Sequence, residues 1–336
     1  PIPLYLYTLI SLFPFMSVPE LISFLTTFFV LIYSLLILFL IVGWLRIKPY
    51  TLSKTIFTTK VTIIIPARNE EKDVEQSLRS LMMSDYPNLE IVAVNDRSTD
   101  QTGFIMDQLS AEVEHLKVCH ITELPPEWLG KNHALFQGVQ TSQGEYFLFT
   151  DGDIFFQPHT LSEAIKYITA AQVDHLCLLP DFIPGDYWEN IFMCHFGIAF
   201  MASTKPWAVS TPNKKAYIGV GAFNLVRRTS YFASGGHERL KLEVVDDVML
   251  GKLLKESGFT QAAFFSGELV KVRWHQGVQG LIKGLEKNGF AVLRYSLPRL
   301  LFVTLITVWV GFGPYMGAFW LRDWRRTGYI AALGIL

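Results

Sequence analysis

Apolar and polar positions divide the chain into stretches of different grain. No charged residue interrupts the runs Leu21 to Leu45 and Leu300 to Leu321, while between them short apolar runs alternate with segments of mixed polarity. Val61-Thr62-Ile63-Ile64-Ile65 reads as a buried strand ended by Pro66. From Glu70 to Met83 the apolar residues Val74, Leu78, Leu81 and Met82 recur at helical spacing. Glu90 to Val94 predicts a second strand, and Asp100 to Leu109 a helix that Ser98 or Thr99 would cap. Leu116 to Ile121 predicts a third strand, Asn132 to Thr141 a helix, and Tyr146 to Thr150 a fourth strand. Strands alternating with helices predict an α/β fold, a mainly parallel sheet covered on both faces.

The charge-free runs change that picture at both ends. A helix crossing a bilayer needs about 20 apolar residues. Residues 1–50 are therefore expected to hold a hydrophobic segment with a transmembrane helix over 21–45, and residues 299–336 a C-terminal transmembrane segment. Leu281, Leu285 and Phe290, set against Lys283 and Lys287, predict an interfacial amphipathic helix within 276–298. Tyr187 to Ala202 is apolar nearly all round, as in a buried helix or one lining an acceptor groove against the bilayer. Arg46, Lys48 and Lys54 follow the first run, and Lys283, Lys287, Arg294 and Arg299 precede the second. Basic residues so placed put the central region, 60–275, on the cytoplasmic side. The proline-broken first residues lack the basic start and the cleavage site of a signal peptide. Thr327 to Leu336 resembles the beginning of a further apolar segment, as in a fragment.

Composition agrees with that reading. Half of the residues are hydrophobic and only 18% are charged, and the mean hydropathy is +0.29. A net charge of −1 supplies no basic field, which argues against nucleic acid as a partner. The three cysteines share no metal-ligand spacing and read as buried thiols.

The chemistry gathers where the strands end. The apolar run Phe147-Leu148-Phe149 is followed at once by Asp151-Gly152-Asp153. Two carboxylates one residue apart repel each other unless a cation lies between them. Hard oxygen ligands of this kind suit Mg²⁺ or Mn²⁺ bridging protein to a substrate phosphate. In an open parallel sheet, ligands bind outside the carboxyl ends of the strands. That rule brings Pro66 to Glu70, Asn95-Asp96 and Asp151-Gly152-Asp153 to one edge. No G-x-G-x-x-G follows the first strand, which excludes the usual dinucleotide site. Lys131, in a glycine-containing loop, is placed to meet phosphate charge.

The succession PARNE, VNDRSTD, WLGKNHA, FTDGD, GVGAFNLVRR, GGHE and VVDDVMLGKLLKESG resembles the family 2 inverting glycosyltransferases of GT-A fold, over Val61 to Gly258. Within that family it is most similar to membrane-bound, lipid-glycosylating bacterial enzymes, the hopanoid-associated and carotenoid types, and more distantly to ceramide glucosyltransferase. The resemblance implies a nucleotide-diphosphate sugar, most simply a UDP-sugar, as donor and a lipid hydroxyl or carboxyl as acceptor. It implies a bacterial inner-membrane location. Ala67, Arg68, Glu70, Asp96 and Lys131 would then lie along the nucleotide, with Gly219 and Gly221 at the donor sugar. Asp151 and Asp153 would hold the nucleotide sugar and its metal. The catalytic base would be Asp247, with the adjacent Asp246 as the alternative. The family's (Q/R)xxRW segment is reduced to Arg273-Trp274, so Arg273 as a diphosphate contact stands beside a structural role for it. A polymer-extending synthase and a non-catalytic scaffold are the competing readings. The first is disfavoured by the lost QxxRW, and the second by the intact acids.

Overall fold

The β-branched run at Val61 becomes the middle of a sheet because both of its faces can be covered by apolar side chains. The structure, a computed structural model, describes residues 18–47, 58–272, 280, 284, 290, 293 and 295–305. In chain order the elements are α1 (Val18–Arg46), β1 (Val61–Ala67), α2 (Val74–Met82), β2 (Leu89–Asp96), α3 (Thr102–Ser110), β3 (Leu116–Ile121), α4 (Gly130–Thr141), β4 (Tyr146–Phe149) and β5 (Ile154–Phe156). They continue with α5 (Thr160–Ala170), β6 (His175–Leu179), β7 (Asp181–Phe182), α6 (Tyr187–Thr204), β8 (Asn224–Arg227), α7 (Arg228–Ser234), α8 (Asp246–Glu256), β9 (Gln261–Phe265) and β10 (Val270–Val272).

Seven strands form the main sheet in the order β3-β2-β1-β4-β8-β6-β9. β1 pairs in parallel with β2 and β4, whereas β8 runs antiparallel to both β4 and β6. A small second sheet joins β5, β10 and β7. Side chains alternate across the main sheet as the two-residue period of a strand requires. Val61, Ile63, Ile65, Ile91, Ala93 and Leu148 face one core with α2, α3 and α5, through Leu78, Met106 and Ile165. Ile64, Val92, Val94, Phe147 and Phe149 face the other core with α4, α7 and α8, through Leu135, Tyr231 and Leu254. Burying one such aliphatic side chain contributes about 1.5–3 kcal/mol, so the doubly covered centre anchors the edge where β1, β2 and β4 end.

Two local expectations are revised. Pro66 does not end β1, which continues to Ala67. Thr150 N–H donates to Ile64 O at 3.2 Å, so the polar groups of Ile64 face β4. Two residues on, Pro66 turns its nitrogen to the same side, past the point where β4 stops, and breaks no ladder bond. Neither Ser98 nor Thr99 caps α3; Asp100 Oδ1 accepts from Thr102 N–H at 3.0 Å instead.

The chain divides into two units, residues 1–42 with 293–336, and residues 43–292. In the first, Phe24, Leu31, Leu35 and Leu38 of α1 are exposed. Among the described residues no helix is long and apolar enough to cross a membrane. The second charge-free run is described only as far as Leu305. A lack of charge along a sequence registers composition, while a crossing needs continuous apolar helix. The flanking transmembrane helices, the membrane as a partner, the membrane-bound subgroup and the integral-membrane localisation with a cytoplasmic catalytic domain are accordingly withdrawn. Arg273 and most of the expected interfacial helix lie outside the described residues.

Candidate active site

Four loops meet at the edge formed by the carboxyl ends of β1, β2 and β4. The loops after β1 and β2 are stitched to each other. Asn69 N–H donates to Ser98 Oγ at 3.1 Å, and Asn69 Oδ1 accepts from Thr99 N–H at 2.8 Å. Glu70 N–H donates to Thr102 Oγ1 at 2.8 Å, and Gln101 N–H donates to Glu71 Oε2 at 3.1 Å. Asn69 (φ 56°) and Arg97 (φ 54°) both adopt left-handed backbone at these turns. Ala67 is buried and Arg68 exposed, and both Ala67 and Glu70 lie beside Gly152. Asp96, buried at the end of β2, is clasped in a fork by Arg97, with Nε donating at 2.7 Å and a terminal nitrogen at 3.0 Å.

The start of α4 is tied to the segment that leads into α8. Leu129 N–H donates to Lys241 O at 2.8 Å, and the buried Asn132 amide donates to Glu243 O at 2.9 Å and to Leu240 O. Lys241 also sits 5.1 Å above the Trp128 ring. These ties set Lys131 opposite Asp246. The loop after β4 is joined in the same way to the loop entering β8. Asp151 N–H donates to Gly221 O at 3.1 Å, and Thr150 Oγ1 donates to Ala222 O at 2.9 Å. Because β8 is antiparallel, it is its entering loop that reaches this edge.

Glycine is required where that loop presses on its neighbours. A Cβ on Gly219 would overlap the Asp247 carbonyl oxygen, and one on Gly221 would overlap Asp151 Oδ2 and stand 3.4 Å from Asp247 Oδ2. Asp151 and Asp247 therefore both lie beside the same glycine.

One ammonium serves this group of acids. Lys131 Nζ lies 2.7 Å from Asp151 Oδ1 and 3.3 Å from Asp246 Oδ1. Burial works against the charge on Lys131, but Asp151, Asp246 and Asp247 outweigh it and hold its pKa well above the usual lysine range. Burial also raises the Asp246 carboxyl, against the pull of Lys131. Asp247 Oδ1 accepts from Val248 N–H at 2.8 Å, and among the described residues it pairs with no cation. Burial, with Asp246 beside it, pushes its pKa up to about 7. Asp153 reaches about 7 as well, through burial and then the charge of Asp151.

That crowding bears on a metal. Among the described residues no three or more His, Cys, Asp or Glu side chains are grouped to hold an ion. A substrate-bridging Mg²⁺ or Mn²⁺ needs fewer, taking one or two carboxylates and completing its shell with phosphate and water. Asp153, raised by burial and by the charge of Asp151, with Asp151 beside it, offers oxygen donors of the kind such an ion takes.

The cleft is also lined by Leu135, Phe149, Thr150, Asn224, His237 and Leu250, which the sequence motifs did not single out for chemistry. His237 Nδ1 bonds Tyr231 OH at 2.9 Å, and burial followed by the charge of Lys131 lowers its pKa to about 3, so the ring is neutral. Asn224 Nδ2 donates to Asp247 O at 3.4 Å, and its Oδ1 meets His175 Nε2. Gln261 Nε2 donates to His175 Nδ1 at 3.0 Å, which leaves the ring proton on Nε2. Burial holds His175 neutral, with a pKa of about 4. The signal in the sequence was a polar residue inside each of two apolar runs, His175-Leu176-Cys177-Leu178-Leu179 and Ala222-Phe223-Asn224-Leu225-Val226.

The fold and the charged cleft do not by themselves name a reaction, and comparison with known proteins gives the class. Residues 62–232, just over half of the chain, match glycosyl transferase family 2, and the chain belongs to that family. Among curated proteins it is similar to the 4,4'-diaponeurosporenoate glycosyltransferase of Staphylococcus aureus strain USA300, 25% identical over 253 residues that cover 74% of this chain and 65% of that protein. The protein of the same name from strain MRSA252 is 26% identical over 231 residues, 68% of this chain and 60% of the relative. The chain thus spans less than two thirds of those relatives' length. Among solved structures it is similar to the mannosyltransferase PcManGT from Pyrobaculum calidifontis, in complex with GDP-Man and Mn²⁺, with a TM-score of 0.59 and 19% identity over 94% of this chain and 92% of that one. At that identity the likeness is one of fold.

Proposed function

We propose that this chain transfers a sugar from a nucleotide diphosphate to an acceptor hydroxyl, with inversion, at the cleft between Asp151 and Asp247. The observation that carries the reading is Asp247 itself, a half-buried carboxylate with no cation partner among the described residues and a pKa near 7, beside Gly221 and near Asp151. A general base works best when its pKa lies near the working pH. Asp246 is the weaker choice because Lys131 already engages its carboxylate.

In the proposed reaction the diphosphate lies over Asp151 and Asp153, with Ala67, Arg68, Glu70 and Asp96 along the nucleoside and Gly219 and Gly221 beside the sugar. Mg²⁺ or Mn²⁺ held by Asp153 and Asp151 would supply positive charge to the leaving diphosphate when bound. Lys131 adds positive charge on the same side, where negative charge grows as the glycosidic bond breaks. Asp247 takes the proton of the acceptor hydroxyl as its oxygen attacks the anomeric carbon from the face opposite the diphosphate. The Staphylococcus relatives are named for a carboxylic acid. An acceptor already ionised at the working pH would need no base, so dependence on Asp247 separates hydroxyl from carboxyl acceptors.

The test is release of nucleoside diphosphate from UDP-glucose, UDP-N-acetylglucosamine and GDP-mannose, with and without EDTA and with hydroxyl and carboxylic acid acceptors. Metal-dependent release that needs an acceptor hydroxyl and collapses in Asp247→Asn is the expected result. Release that is indifferent to EDTA and to Asp247→Asn would sink the reading.

A further inference from the structure

Lys131 stands where positive charge on Asp151 has to stand. Its Nζ is at contact distance from Asp151 Oδ1, 2.7 Å, and at 3.3 Å from Asp246 Oδ1, so one ammonium bridges the loop after β4 and the first turn of α8. Among the described residues, no other lysine or arginine pairs with Asp151, Asp153, Asp246 or Asp247. The nearby guanidinium of Arg97 is committed to Asp96. We propose that Lys131 is the resident counter-ion of this cleft, exchanged for a divalent cation as the nucleotide diphosphate enters, so that metal and nucleotide bind tightly only together. The inference rests on the reading of Asp151 and Asp153 as metal ligands.

Charge and room govern the exchange. A divalent cation sits about 2.0–2.6 Å from a carboxylate oxygen. On Asp151 that would bring it within a few ångströms of the ammonium, where like charges repel strongly in a partly buried setting. Free metal must therefore displace Lys131 from Asp151 with nothing offered in return. Metal arriving with a diphosphate brings phosphate oxygens that can take up the displaced ammonium. Lys131 has the means to move. Its side chain is 34% exposed, and four methylenes give it reach while Asp246, fixed at the head of α8, holds it near. The exchange also frees Asp151 from the lysine at the moment the diphosphate needs the metal.

Binding of Mn²⁺ to the full chain, followed by the paramagnetic resonance of the free ion with and without UDP or GDP, tests this. The wild-type chain is expected to bind Mn²⁺ at least about tenfold more tightly with nucleoside diphosphate than alone. Lys131→Gln, and Lys131→Met as an independent uncharged variant, are expected to bind Mn²⁺ alone at least about tenfold more tightly than wild type, with the nucleotide effect reduced. Lys131→Arg keeps the charge and is expected to stay close to wild type. Thermal melts identify any variant that has lost its fold, and the other uncharged variant then decides. If the folded neutral variants bind Mn²⁺ alone no better than wild type, while Asp153→Asn loses the ion, the exchange is wrong and the metal ligands stand. If Asp153→Asn binds Mn²⁺ as wild type does, the reading of the metal ligands falls, and the exchange falls with it.

Discussion

The two ends of the active edge are held by different physics. Where β1 and β2 end, the loops are bound mainly by hydrogen bonds between backbone and short polar side chains, with Asn69, Ser98, Thr99, Asp100 and Thr102 each answering another. Asp96 has its own guanidinium. Where β4 ends and α8 begins, four carboxylates crowd together, Lys131 pairs with two of them, and the other two have pKa values near 7. The first region is complete by itself. The second is short of positive charge. On the proposed reading, the surface that recognises the nucleoside is prebuilt, while the region that does the chemistry reaches charge balance only with its ligands.

The largest expected effect comes from the unbalanced region. Asp247→Asn should lower kcat with a hydroxyl acceptor by about 10²–10⁴-fold, with the melting temperature unchanged or raised because one member of a repelling set is gone. A variant that keeps near-normal turnover would make this half of the cleft as passive as the other. Next comes Gly221→Ala, whose new methyl overlaps Asp151 Oδ2. It should cost roughly tenfold or more in kcat/KM by moving a donor-side carboxylate, measured as nucleoside diphosphate release.

A third contrast is in pH. Asp153 and Asp247 have folded-state pKa values near 7, above those of an unfolded aspartate. In that window the folded chain holds more protons than the unfolded one, so their contribution to stability is fully present below about pH 4 and is lost as pH rises through about 7. Melting temperature should accordingly fall between pH 5 and pH 8, and Asp153→Asn should flatten the slope. An unchanged slope in that variant would show that Asp153 does not carry the strain. The smallest effect belongs to the hydrogen-bonded loops. Asn69→Ala loses the bond to Thr99 and leaves alanine in left-handed backbone, at a cost of about 1–2 kcal/mol. It should raise KM for the donor a few-fold while leaving kcat nearly intact.

How much of this was legible in the sequence depended on the range of the interactions. β1, β2 and β4 declared themselves because burial on both faces favours apolar runs, and β3, at the sheet's edge, by its alternation of apolar and polar residues. α2 begins at Val74 rather than Glu70 because Glu70 and Glu71 are used to bond the neighbouring loop. β8 was hidden inside a motif read for its glycines, and nothing local in Asn224 to Arg227 announces that the strand is inserted antiparallel between β4 and β6. With it were hidden Asn224 and the His175–Gln261 pair behind the Asp247 backbone. Those contacts join residues far apart in the chain, and single-residue patterns carry no record of them. The membrane reading failed for the opposite reason, since a charge-free run is easily seen but states only composition. Lys131 was noticed as a phosphate contact, but its hold on Asp151 and Asp246 is a matter of distance.

The direction of β8 has a practical side. With the proposed chemistry on one rim of the sheet, the opposite rim carries connecting turns such as 111–114 between α3 and β3, where Ala111, Glu112 and Glu114 are exposed and Glu112 pairs with Arg79 of α2. The eight residues of β2 separate that rim from Asp96, about 26 Å of extended chain. A fluorophore, an affinity handle or a second folded domain spliced into that turn would hang well clear of donor and acceptor, which makes the back of the sheet the natural place from which to tether this enzyme.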